Sequence, residues 1–266
     1  PRLVIILLLL LSIPVTVFAI KMGGDIRGRA SLSDEQELAV RADLLDQREG
    51  FAKSSDVTGG ANGTICRVTN LNDSGTGSLR ECAGLGNRWI IFNVNGTINL
   101  SSRIAVASNT TIDGRGSDIT ITGKGLYFNT GKENLIIENI KIMDIGTTNE
   151  DAINIDKVAT RFWLDHLTIQ EVYDGYIDIA ASYSRGMVGT VSWNLMLPGK
   201  DYYWDLVHVV GDNRSCCAQY NKNIMVTFHH NYFNGTRQRN PSASGAKVHT
   251  YNNYIKWRLY GMSVKS

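Results

Sequence analysis

The sequence predicts an all-β fold, a right-handed single-stranded parallel β-helix with a short N-terminal helical cap. The first observation is a repeat. Short apolar strands end in polar residues at Ile112-Asp113, Glu138-Asn139, Asp165-His166, Trp193-Asn194, His230-Asn231 and Asn252-Asn253, with second members 26, 27, 28, 37 and 22 residues apart. A unit of that length cannot bury its own apolar face, but stacked copies bury a continuous core. The second observation is composition: 26 glycines, only four prolines and many Asn and Thr residues suit short strands joined by tight turns. A third is the stretch from Asn223 to Tyr254, where two apolar strands close on His229-His230-Asn231 and Tyr251-Asn252-Asn253. Amide side chains in such turns can hydrogen-bond from coil to coil.

The chain has 266 residues, enough for one large solenoid core, and no split into further domains is indicated. Its charges nearly cancel, with 27 Lys and Arg against 25 Asp and Glu, and no basic run interleaves with aromatics. Nucleic acid is therefore not an expected partner. No segment asks for a partner chain, and a monomer is expected.

Residues 1–19 read as a secretory signal, because an apolar run from Leu3 to Ile13 is followed by Val17-Phe18-Ala19 with small residues at the cleavage positions. Cleavage would leave a secreted, extracellular protein without a membrane anchor. Residues 20–58 are charged and weakly periodic, with Ser33 placed to cap a helix through Leu45. This segment is expected to cover the open end of the solenoid. The β-helix domain is expected over 59–266, with a helical turn at Ser78 to Ala83 near its start. Secretion makes the four cysteines candidates for disulfides. Cys66 and Cys82 are the natural local pair, while Cys216 and Cys217 are adjacent, and three connectivities stand open. The long interval places Gly211 to Tyr220 in an inserted loop.

After each ladder position comes a second strand, at Gly125 to Phe128, Asp151 to Ile155, Tyr176 to Ala180 and Leu206 to Val210. Period-two alternation points Ile153, Ile155, Ile177, Ile179, Val207 and Val209 inward. It points Asn154, Asp178, Leu206 and His208 outward. Asp151, Asp174 and Asp178 then share one surface with Arg239, which is raised between two strands just before Asn240-Pro241. Three converging carboxylates repel one another unless a cation sits among them, and an oxygen cage of this kind suits Ca²⁺. Trp163, Asp165 and His166 read as a structural element, because an Asp and a His without a nucleophile make no catalytic dyad. Tyr202, Tyr203 and Trp204 offer rings for stacking on a sugar or on the inserted loop.

From about Gly59 onward the chain resembles the secreted pectate lyases, a polysaccharide lyase family built on a parallel β-helix. The resemblance rests on VTNLNDSGTGSLRECA, NTTIDGRG, RFWLDHLTI, DGYIDIAASYS and VTFHHNYFNGTRQRNP followed by KVHTYNNY. It implies calcium-dependent β-elimination of polygalacturonate, an acidic polysaccharide, giving an unsaturated uronate at the new non-reducing end. On this resemblance Asp151, Asp174 and Asp178 match the calcium-binding carboxylates and Arg239 the catalytic base. An arginine base must work without its proton, against an ordinary value above about 12, so activity should favour alkaline pH. Two departures stand out: Leu206 occupies the place of a usual lysine, and Ser242-Ala243-Ser244 replaces a stretch that usually carries a further arginine. Arg237, His208, Lys247 and Lys200 are candidates to hold the acidic substrate instead. Asn149-Glu150-Asp151 resembles, faintly, the Asn-x-Asp of polygalacturonases, which leaves a hydrolase as an alternative. A catalytically silent β-helix that binds acidic polysaccharide is the other.

Overall fold

The computed structural model describes residues 32–128, 131–146, 150–156, 160–180, 186–199, 206–211 and 222–265. Within them the chain winds into a parallel β-solenoid with three faces. The first sheet has eight strands and the second and third have seven each, and every pairing between successive coils is parallel. The leader reading for 1–19, Cys216, Cys217, Lys200 and the Tyr202 to Trp204 aromatics lie outside the described residues.

Like residues stack on like inside the solenoid. On the second sheet the register runs Ile98, Ile121, Ile142, Ile169, Met196, Phe233, Ile255, one residue per coil. On the third it runs Ile104, Leu126, Ile153, Ile177 and then His208. Each fully buried aliphatic side chain of this kind contributes roughly 1.5–3 kcal/mol relative to exposure, so the columns are the fold's main stabilisation.

Turn chemistry explains where strands stop. Asn194 Nδ2 donates to Asn231 Oδ1 at 2.9 Å, and Asn231 Nδ2 donates to Asn253 Oδ1 at 2.9 Å. The same oxygens accept from the backbone N–H groups of Asn194 and Asn231, so the ladder also satisfies buried peptide groups. The ladder runs through Asn194, Asn231 and Asn253 as read from sequence, but two earlier members are one residue out of step, because Ile140 and Leu167 occupy the ladder position on their coils. Asn139 and His166 do not join it; they align with Trp193, His230 and Asn252, all in the left-handed region with φ between 50° and 56°. Their side chains form a second, flat stack, with His166 on Trp193 and Trp193 on His230 at centroid distances of 5.9 Å and 4.2 Å.

The helix expected after Ser33 spans Asp34–Asp46, with Ser33 and Gln36 forming a reciprocal capping box. Its neighbour, Gly50–Ser54, corrects the expected cap. It lies along the outer face of the first sheet, where Phe51 N–H donates to Thr227 Oγ1 and Ala52 N–H to Thr190 Oγ1. The reason is apolar: Trp89, Ile91, Ile136 and Trp163 point outward from that sheet and need cover, which Leu44, Ala52 and Val57 provide. The end of the solenoid is covered instead by the helix Leu79–Leu85, capped by Ser78 and tied to the first strand by the Cys66–Cys82 disulfide. Its Leu79, Cys82 and Ala83 belong to the main core.

His208 is the clearest departure from the expected alternation. Ile177 pairs with His208 and Asp178 with Val209, so the imidazole points inward and Val209 outward, opposite to the sequence reading. The ring is fully buried between Phe228 and Phe233, with centroids at 5.3 Å and 5.6 Å. Neither ring nitrogen has a partner in hydrogen-bond geometry. Burial pushes the imidazole down to about 3, against the weaker pull of the Ile177 and Val207 carbonyls. The unfolded chain therefore takes up this proton first, and stability present above pH 6.5 is lost as pH falls from there toward 3. His208→Leu should remove that loss: between pH 7 and pH 4.5 the variant's unfolding free energy should fall by roughly 2 kcal/mol less than the native protein's. Parallel pH profiles of thermal denaturation for the two proteins would contradict this.

Candidate functional site

The site lies where the chain enters the third sheet. Asp151 stands two residues before Ile153 and Gly175 two before Ile177, so successive coils present the same position to one surface. Gly175 N–H donates to Asp151 Oδ1 at 2.9 Å, and Asn154 Nδ2 to Asp151 Oδ2 at 2.7 Å. Asp174 is held next to them by its N–H on the carbonyl of Glu150 at 3.1 Å. Asn154, Asp178, Val209 and Ser242 form the outward column of the sheet.

Electrostatics ties the predicted residues into one group. The Asp178 carboxyl is pushed up to about 8, first by burial and then by the charge of Asp151, while Arg239 pulls it down and Asp174 pushes it up further. Asp151 is likewise raised, by burial foremost and also by Asp174, against its hydrogen bonds from Asn154 and Gly175. The structure thus brings Asp151, Asp174 and Arg239 within the field of Asp178, on the surface where the stacking argument put them.

Two local features suit a hard cation among these carboxylates. Asp178 Oδ1 is buried and has no hydrogen-bond partner. Gly175 leaves the space in front of it open, because a Cβ there would sit 2.3 Å from Asp178 Oδ1 and 2.8 Å from Asp151 Oδ1. The three carboxylates are more widely spread than a closed cage, as three like charges should be. Among the described residues, the donor atoms that all lie within 4.8 Å of one another belong to Glu138, Asp165 and His166. That cluster sits on the first sheet and is knitted into structure: Asp165 accepts from Ser192 and from His166, Ser192 accepts from Trp163 Nε1, and Arg115 approaches Glu138 at 3.6 Å.

Arg239 is half-buried and sits in the left-handed region at φ +62°, in a turn that the backbone fixes on both sides. His208 N–H donates to its carbonyl at 2.7 Å. The next residue, Asn240, is fully buried, accepting from Thr236 Oγ1 at 2.7 Å and donating to the Tyr260 carbonyl at 2.8 Å.

The remaining candidates fare differently. His208 is sealed inside the coil and cannot meet a substrate. Lys247 is exposed but opens a strand of the first sheet, paired with Met225, so it stands on another face from Asp178. Arg237 is half-buried in the turn before Arg239, where its carbonyl accepts from Leu259 and Tyr260. Leu206 is buried rather than displayed, paired with Gly175 and bridged to Gln238. Sequence reasoning missed Arg103, Lys124 and Glu150 beside the carboxylates. Lys124 stands two residues before Leu126, the same offset as Asp151 before Ile153, and that shared offset was the available signal.

Comparison with known proteins bears on this geometry. The profile of a family described as pectate lyase matches residues 9–266. The chain is 30% identical over 213 residues to a probable pectate lyase C of Aspergillus fumigatus, covering 79% of this chain and 47% of that protein. It is 32% identical over 223 residues to a pectate trisaccharide-lyase of Bacillus licheniformis, covering 78% and 60%. Among solved structures it is similar to jun a 1, the major allergen from cedar pollen, with a TM-score of 0.74 at 26% identity over 89% of this chain and 71% of that one. It is also similar to a pectate lyase from Bacillus sp. N165 in complex with trigalacturonate, with a TM-score of 0.58 at 25% identity over 78% and 68%. The chain spans about half the length of the first of these relatives. With the solenoid and the family profile in agreement, the chain belongs to the pectate lyase family.

Proposed function

We propose that the protein is a calcium-dependent pectate lyase that cleaves polygalacturonate by β-elimination. The observation that carries this is the Asp178 carboxylate, buried in the field of Asp151, Asp174 and Arg239 with Oδ1 unsatisfied in front of Gly175. Asp151, Asp174 and Asp178 would hold Ca²⁺. When bound, the ion would supply positive charge that draws in a uronate and makes the proton on its C5 more acidic.

The protein's own part is positioning and proton transfer. The turn fixed by Asn240 holds Arg239 beside the carboxylates, where its guanidine in the unprotonated form takes the C5 proton. The C5–H electron pair becomes the C4–C5 double bond, the C4–O bond breaks, the departing oxygen takes a proton from water to become a hydroxyl, and Arg239 returns its proton to solvent. Secretion is in keeping with the Cys66–Cys82 bridge.

The hydrolase alternative would need a free acid at Glu150 or its neighbours. Glu150 instead binds Arg103 and Lys124, at 2.7 Å and 2.8 Å, which favours the carboxylate over the acid. A binding-only β-helix is favoured by one feature, the absence of a cation at Leu206 and at Ser242-Ala243-Ser244. Mass spectrometry of polygalacturonate digests separates all three. The lyase yields, at every cut, a fragment whose new non-reducing end makes it lighter by one water than the hydrolysis product; the hydrolase yields only saturated oligomers, and the silent protein none.

A further inference from the structure

The outward face of the third sheet, beside the carboxylates, carries one aromatic ring. Paired positions along that face run Ala105, Tyr127, Asn154, Asp178, Val209 and Ser242. Tyr127 is the one aromatic of the column among the described residues. It faces outward because Leu126 and Phe128 on either side of it are buried in the core. At a strand spacing of about 4.8 Å it stands one coil from Asn154 and two coils, about 10 Å, from Asp178.

The backbone of Tyr127 is fixed, but its side chain is uncommitted. Its carbonyl accepts from Val106 N–H at 3.0 Å, and Leu126 N–H donates to the Ala152 carbonyl at 2.9 Å. Gly125, two residues earlier, lets the coils meet closely, since a Cβ there would sit 2.1 Å from the Asp151 carbonyl oxygen. The side chain is half-buried, and no described residue bonds its hydroxyl or stacks on its ring. Tyrosines that serve packing in this protein do find partners. Tyr176 is fully buried with its hydroxyl on the Leu197 carbonyl, and Tyr251 stacks on His229 and donates to Glu49. On the coil before Tyr127 the paired residue is Ala105, exposed and too small to cover the ring.

We propose that Tyr127 is a stacking platform for one sugar ring of a bound polyuronate, on the side of Asn154 away from Asp178. This rests on the reading of the protein as a binder of polyuronate. The ligand class follows from shape. In a galacturonate ring the C–H bonds at C3, C4 and C5 project from one face as an apolar patch, while hydroxyls and the carboxylate lie around the rim. A phenol ring supplies a flat apolar surface for that patch, and the Tyr127 hydroxyl is open to solvent, where a rim hydroxyl can reach it. The coil spacing is close to the advance of one sugar ring in an extended chain, so a chain laid across Asp178 meets Tyr127 two units on. A neutral platform holds that unit without competing with the carboxylates for a cation.

Calorimetric titration with hexagalacturonate, in calcium, tests the platform. Tyr127→Ala should weaken hexamer binding roughly fivefold to twentyfold, while Tyr127→Phe should stay within about twofold of the native protein. The loss in the alanine variant should be the same at low and high salt, because a stacked ring carries no charge to screen. Calcium binding without sugar should be equal in all three proteins. An alanine variant that binds the hexamer as the native protein does would overturn the platform, as would a phenylalanine variant that loses as much as alanine. A parallel loss of calcium binding would mean that Tyr127 acts only by supporting Asn154 and Asp151, and it would overturn the platform too. A folded native protein that binds no hexamer would overturn the polyuronate reading itself, and that result shows before any substitution is made.

Discussion

Arg239→Ala is expected to lower lyase turnover on polygalacturonate by about a hundredfold to ten-thousandfold, the usual contribution of a positioned general base. The thermal midpoint should move little. The native arginine already bears the strain of φ +62°, and its turn is fixed through its own carbonyl and through Asn240, none of which the substitution removes. Arg239→Lys keeps the charge near Asp178 but shortens and reshapes the donor fork, so it should recover substrate affinity better than turnover. Activity of the alanine variant within tenfold of native, measured as initial rates at alkaline pH, would remove Arg239 from the reaction.

The second large effect concerns Asp178→Asn, and its sign should reverse with calcium. The Asp178 carboxyl is raised by burial and by its neighbour Asp151, so the charged form is disfavoured in the folded protein. That penalty is absent below the unfolded value near 3.8, grows as pH rises, and is complete above about 8. At pH 9 in chelator the amide variant should therefore be the more stable protein, by a few kcal/mol or on the order of 5–10 °C in thermal midpoint. With calcium the native protein should gain and the variant should not, because the amide brings no charge to the ion. A variant less stable than native in chelator would contradict the buried-charge penalty, and one that still gains as much with calcium would show that Asp178 is not a ligand.

Much of this arrangement was legible because stacking converts sequence spacing into distance. Ile153, Ile155, Ile177 and Ile179 point inward as their alternation requires, and that phase put Asn154 and Asp178 on the outside. Ser33 and Ser78 cap the helices they were expected to start. The phase failed at Leu206 to Val210, where four of five residues are apolar and alternation carries no information. Polarity alone sent His208 outward, whereas the register seats it between Phe228 and Phe233. The ladder was legible at Asn194, Asn231 and Asn253 and slipped by one at Asn139 and His166, where the ladder position itself is apolar, at Ile140 and Leu167, and the polar residue sits in the left-handed position before it. The cover over the first sheet was hidden as well: Trp89, Ile90 and Ile91 are consecutive apolar residues, so no polar alternation marks that Trp89 and Ile91 face the cover while Ile90 faces the main core.

The central claim is tested most directly by following the absorbance of the unsaturated product during incubation with polygalacturonate at alkaline pH. Parallel reactions would contain calcium, excess chelator, and chelator followed by restored calcium. The account predicts product with calcium, none with chelator, and recovery when calcium returns. Product that accumulates equally in chelator, or a folded protein that yields none with calcium present, would contradict it.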